Sequence, residues 1–310
     1  AYADEQGIIK KWADKYGIEI EIVQFNDYIE SINQYTAGEF EACAMTNMDA
    51  LTIPAAGGVD TTALVVGDFS NGNDAIVLKE SDSLADIKGQ RVNLVELSVS
   101  HYILARALES VGLTEKDVTV VNTSDADMVA AYTTDEVTAV AAWNPGLSEI
   151  LAMPNSNNVF DSTQIPGEII DMMMVKTDVI KEHPELGKAL VGAWYEVMGI
   201  MSGDDEKAID AKTFMATKSG TDLAGYESQL ASTQMFYKPE QALALINDEK
   251  LFQTMEYVAN FSLEHGLLGE GATDSGYIGI EMPAGIFGDE NNVQLRFDPT
   301  FATMAVNGEL

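Results

Sequence analysis

The chain has 310 residues, is 46% hydrophobic and carries a net charge of −33 at pH 7. That length and apolar content suit one large or two ordinary domains with packed cores, while the negative charge repels nucleic-acid phosphates and anionic lipid and removes both as partners. Cys43 is the only cysteine, which excludes an intrachain disulfide and a cysteine-rich metal site.

In chain order, Ile18 to Phe25 (IEIEIVQF) reads as a strand, Asp27 to Ala37 as a helix closed by Gly38, Glu41 to Met45 as a short strand, and Met48 to Gly57 as a helix. Ala63 to Val66 is a further buried strand. The alternation implies α/β units around a parallel sheet. The pattern restarts at Ala75. Ala75 to Leu78 and Arg91 to Val95 read as strands, and Ser100 to Val111 as a helix with Ile103, Leu104, Ala107, Leu108 and Val111 on one face. Val118 to Val121, a helix around Asp125 to Tyr132, and the strand Val137 to Trp143 repeat the unit. After the strand Met172 to Val175 long helices dominate, over Glu185 to Met201, Lys207 to Lys218, Glu240 to Ile246 and Leu251 to His265. The glycine-rich, acidic tail beyond Gly266 reads as surface wrapping. Domain I is expected over residues 1–75 and 176–310, and domain II over 76–175.

The charges are unevenly placed. From Tyr16 to Leu78 there is no lysine or arginine, yet the stretch holds Asp27, Asp49, Asp68 and Asp74, and a second cation-free stretch runs from Asp117 to Val175. A site built there offers carboxylates but no arginine clamp, which points to a cationic or neutral polar ligand. High ionic strength also favours an acidic, lysine-poor surface, so bulk charge alone does not separate ligand from habitat. No apolar run reaches the roughly 18 residues of a membrane span. The first residues lack a charged and then apolar leader, so any secretory signal is expected to have been removed already or never to have existed.

Ser83 to Val92 (SLADIKGQRV) resembles the segment that enters the second domain of periplasmic solute-binding proteins of ABC importers. Ser98 to Gly112, Ser124 to Tyr132 and Val137 to Pro145 continue the likeness in order, and together they are similar to the nitrate, taurine and sulfonate branch. Met45 to Ala50 (MTNMDA) and Val66 to Gly72 (VGDFSNG) look like the narrower urea- or guanidine-type group encoded beside urea (guanidine) carboxylases. The resemblance implies a two-domain α/β clamshell of the type II periplasmic-binding-protein class with a helical C-terminal extension. It also implies a monomer that meets permease subunits, a periplasmic location, no cofactor and no metal. Family members begin with a strand and an aromatic-rich loop, whereas residue 1 here falls in the helix that follows.

In such a fold the ligand sits at strand ends and helix N-termini facing the crevice between domains. Asp49 follows the strand end at Thr46, which equally suits an N-cap worth about 1 kcal/mol. Asp68, Phe69 and Asn71 stand in the loop DFSNGND, whose composition also suits a plain turn. Glu96 is the expected principal carboxylate, followed by Ser98 and Ser100 at a helix start; His101 is expected to be packed or at the surface. Trp143 could stack on a planar cation or fill the core, Asn144 would orient the ligand, and Asp171 precedes a strand returning to domain I. Guanidinium or urea is the expected ligand, with taurine or another sulfonate as the alternative. His101, His183 and His265 show no metal-binding spacing, and no G-x-S-x-G or Walker motif is present. An enzyme akin to the thiamine-pyrimidine synthases of this fold is therefore the minor reading, because the single Cys43 cannot supply their cysteine-rich motif.

Overall fold

A computed structural model describes residues 1–310. The strands are β1 (Ala42–Thr46), β2 (Thr61–Ser70), β3 (Asp74–Lys79), β4 (Arg91–Leu94), β5 (Thr119–Asn122), β6 (Ala139–Trp143), β7 (Ser156–Asp161), β8 (Ile170–Lys176), β9 (Thr233–Met235), β10 (Gly279–Met282), β11 (Gly285–Phe287) and β12 (Val293–Phe297). They form two sheets. The first has the order β1-β8-β2-β12-β10-β11, with β9 beside the far end of β2, and the second has the order β5-β4-β6-β3-β7.

The second lobe departs from the expected boundaries. Asp74 and Ala75 already pair with β6, and Ile170 to Lys176 belong wholly to the first sheet, between β1 and β2. The chain therefore crosses at residues 71–73 and returns at 162–169, because β8 pairs along its length with β2 and over Asp171 to Val175 with β1. The Ser162 hydroxyl ties the two crossings together. It lies 2.6 Å from Ser70 Oγ and accepts from Gly72 N at 2.7 Å.

Three sequence expectations change. Ile18 to Phe25 forms no strand, and Ile22 and Val23 lie 44% and 47% exposed, since no neighbouring strand offers them a ladder. The first sheet is mixed rather than parallel: β8 runs antiparallel to β1 and β2, while β12 is parallel to β2. The tail does not merely wrap the surface, for β12 adds Leu295 and Phe297, and β10 adds Ile280, to the core.

Local signals explain the helices that frame the crevice. Asp27 accepts from Glu30 N and starts the Tyr28–Ala37 helix, which Gly38 ends at φ 96°. Ser98 accepts from Ser100 N at the head of the Val99–Ser110 helix. That helix packs on the Glu249–Glu264 helix of the first lobe through Tyr102 and Phe261, whose ring centroids are 5.4 Å apart. A core of 42 buried residues runs from the first sheet through this contact into the second.

Candidate functional site

The C-terminal ends of β1, β2 and β6 meet the N-terminal ends of β3 and β8, and the register brings four carboxyl groups together. Asp68 stands opposite Asp171, Asp171 opposite Thr46, and Asp74 opposite Trp143. Asp49 follows Thr46 in the short Asn47–Ala50 helix. Asp49, Asp68 and Asp74 are only 0%, 8% and 4% exposed, so water cannot solvate their charges, and Asp171 is partly buried beside them.

Each carboxyl group has a different degree of support. Asp49 Oδ2 accepts from Tyr28 Oη and Thr46 Oγ1, both at 2.8 Å, while Asp49 Oδ1 is buried without a partner. Asp74 Oδ2 accepts from Ser70 Oγ at 2.5 Å. Asp68 and Asp171 lie within hydrogen-bonding reach of each other, and Asp68 Oδ1 has no partner. Burial is the largest cause of every shift. It pushes Asp49 up to about 6 against the bonds from Tyr28 and Thr46, and Asp74 up to about 7 against that from Ser70. Asp68 rises well above the usual carboxylate range through burial and then the charge of Asp171; Asp171 itself rises through burial. Burial and the neighbouring Asp49 likewise raise the Tyr28 phenol well above its ordinary value. No basic group is among the causes acting on the four acids.

An aromatic pair adjoins the cluster. The Tyr28 and Trp143 rings meet edge to face at 6.1 Å, so one Tyr28 side chain touches both Asp49 and Trp143. Trp143 also lines a cavity of about 350 Å³ with Asp125, Val129, Pro145 and Glu149. Burial and then the facing Asp27 of the first lobe raise Asp125. Trp143 thus belongs both to this acidic cavity and to the aromatic pair beside Asp49.

The remaining residues named from sequence lie elsewhere or perform other tasks. Glu96, expected as the principal carboxylate, is exposed and holds only its backbone N–H against Asn122 Oδ1. Phe69 follows Asp68 on the strand and packs edge to face on Phe236 at 6.0 Å, so it fills core rather than the crevice. Asn71 donates its backbone N–H to Ser232 O within the crossing. Asn144 donates to Ser232 Oγ and accepts from Ser148 N and Oγ, which commits both ends of its amide to structure. Ser98 is a cap, whereas Ser100 Oγ is buried without a partner. Tyr28 and Asp74 are not among the site residues named from sequence. Their signals are faint: an aromatic just inside a helix N-terminus, and an acid opening an otherwise apolar strand.

Histidine spacing in sequence also misses a cluster that the fold assembles. His101, Glu115 and His265 place ligand atoms within 4.8 Å of one another. Leu97 N–H donates to His101 Nδ1, so the neutral ring carries its proton on Nε2 and donates it to Glu115 Oε2 at 3.2 Å. The ring then turns no lone pair towards an ion. His265 donates from Nδ1 to Phe261 O and, when protonated, from Nε2 to Glu115 Oε1 at 2.8 Å. Burial raises the Glu115 carboxyl, but the two histidine contacts outweigh it and bring it down to about 2. The cluster is thus a polar latch between the second lobe and the Glu249–Glu264 helix of the first. Cys43 is no activated nucleophile, because burial pushes its thiol up and its sulfur meets only Ser31 Oγ at 3.7 Å and the Ala44 carbonyl at 3.5 Å as hydrogen-bond partners.

Residues 7–208 match the family model described as NMT1/THI5 like. The chain belongs to the NMT1/THI5-like family. This NMT1/THI5-like chain is 22% identical over 218 residues to a provisionally named binding protein of Brucella abortus (strain 2308), a match covering 68% of this chain and 65% of that relative. It spans less than two thirds of that relative's length. It is 21% identical over 226 residues to the taurine-binding periplasmic protein of Escherichia coli (strain K12), covering 63% of this chain and 70% of that one. Among solved structures, the alkanesulfonate-binding protein SsuA of Xanthomonas axonopodis pv. citri aligns with a TM-score of 0.69 at 19% identity, over 87% of this chain and 90% of that one. At these identities the likeness concerns the fold, and one fold serves many functions.

Proposed function

We propose that this protein is the periplasmic solute-binding component of an ABC importer of the nitrate, taurine and sulfonate line. It captures guanidinium or a urea-like relative between its lobes and hands it to permease subunits as a monomer, without chemistry. Family membership and the names of the similar proteins support the transport role. One observation carries the ligand class: three buried carboxyl groups, Asp49, Asp68 and Asp74, and the partly buried Asp171 converge on the crevice with no basic group acting on them. A planar cation with N–H donors around its edge satisfies such acceptors, and the Tyr28 and Trp143 rings offer it faces.

Taurine or an alkanesulfonate is the second reading. The names of the similar proteins favour it, as does Ser100 Oγ, a buried unpartnered hydroxyl in the first turn of a helix. The four acids could then receive only an ammonium, and the sulfonate would find no basic partner. Calorimetry against guanidinium, urea and taurine separates the readings. Guanidinium binding that is lost in Asp171→Asn supports the proposal. Taurine binding with no heat from guanidinium overturns the ligand, and turnover of a bound ligand overturns the transport role.

A further inference from the structure

The Asp68–Asp171 pair poses a problem that the ligand class alone does not solve. The two carboxyl groups are cross-strand neighbours within hydrogen-bonding reach. Two ionised carboxylates have only acceptor oxygens, so a hydrogen bond between them requires a proton on one. Asp49 Oδ1 and Asp68 Oδ1 are buried with nothing donating to them. The groups facing this space are Tyr28 from the first helix of the crevice, Asp49 and Asp171 from the first lobe, Asp74 from the start of β3, and Tyr237, whose phenol is raised by burial and then by Asp68. All are acids or phenols. Without a cation, four like charges cannot all be held out of water.

We propose that the site is a cation–proton exchanger: the empty cluster holds at least one proton, shared between Asp68 and Asp171, and an entering organic cation expels it to solvent. The inference rests on the cation-binding reading above and names what accompanies binding. One positive charge enters, one proton leaves to solvent, and the net charge of the cluster stays constant. A raised carboxyl supports this, since burial and then the charge of Asp171 hold Asp68 well above the usual carboxylate range. Affinity should therefore rise with pH, up to about tenfold per unit while one proton is being displaced, and level off once the cluster is ionised. A neutral ligand such as urea displaces no proton.

The test is isothermal calorimetry of guanidinium chloride into the whole protein at pH 6.5 and pH 9. Each titration is run in buffers matched for pH and ionic strength but differing in ionisation enthalpy. The expected result is an enthalpy that depends on buffer at pH 6.5, corresponding to about one proton released, and a weaker dependence at pH 9. Asp68→Asn retains the shape of the pair but cannot donate the shared proton as an acid, so its release should drop by about one proton even if affinity also falls. Tight guanidinium binding with the same enthalpy in every buffer overturns the exchange while leaving the cation site standing. No binding of guanidinium in any buffer overturns both. Binding of urea with the buffer-dependent release expected for guanidinium also overturns the exchange, because a neutral ligand has no charge to trade.

Discussion

Asp74→Asn should make the ligand-free protein more tolerant of alkaline pH. Asp74 is 4% exposed, and burial raises its carboxyl from 3.8 to about 7. Because the folded-state value is the higher one, the folded protein holds this proton more tightly. The stability it confers is complete below 3.8 and is lost as the pH climbs through about 7. Between pH 5 and pH 8 the loss from this one group is about 3 kcal/mol, or about 6 °C in Tm for a chain of this size. Asparagine keeps the outline and still accepts from Ser70 Oγ, but has no charge to bury. Thermal unfolding followed by circular dichroism is the right assay, since urea and guanidinium are themselves candidate ligands that would stabilise the native state they are meant to unfold. The wild-type Tm should fall from pH 5 to pH 8 by about 6 °C more than that of Asp74→Asn. Equal pH slopes in the two proteins, or a variant that melts below wild type at pH 8, would refute the assignment of Asp74 as a buried acid that strains the empty fold. Such strain is the usual counterpart of a site built for a charged ligand.

Trp143→Ala removes one aromatic face and should weaken guanidinium binding by about 2- to 30-fold; unchanged affinity by calorimetry would remove the ring from the site. Glu115→Gln should lower the melting temperature at pH 6. Here the folded value is depressed to about 2, so the stability is present above the unfolded value of 4.5 and the gap to wild type should close as pH falls towards 2; a gap independent of pH would deny the ionic latch. Gly192→Ala places a Cβ 2.4 Å from the Trp12 ring, and should cost about 1–3 kcal/mol. A variant that melts like wild type would show that the Ile8–Tyr16 helix packs less closely on Pro184–Met201 than this distance implies.

The punctuation of the chain is written in local chemistry. The apolar runs at Ala42, Ala75, Arg91 and Val137 become β1, β3, β4 and β6, because buried strands require such runs. Asp27 and Gly38 bound a helix because a cap and a left-handed glycine act within a few residues. Composition also marks the cation-free segments, and three of the four clustered acids, Asp49, Asp68 and Asp171, are legible as polar residues at strand ends. Long-range packing sets the rest. Whether IEIEIVQF becomes a strand depends on a neighbour to pair with, and here it has none; whether the tail joins the core depends on β2 leaving an edge for β12. Glu96 and Asp74 are both acids near strand ends, yet one is exposed and the other 4% exposed. What separates them is burial, a property of neighbours distant in sequence, and burial is what turns a solvated carboxylate into a site that calls for a cation.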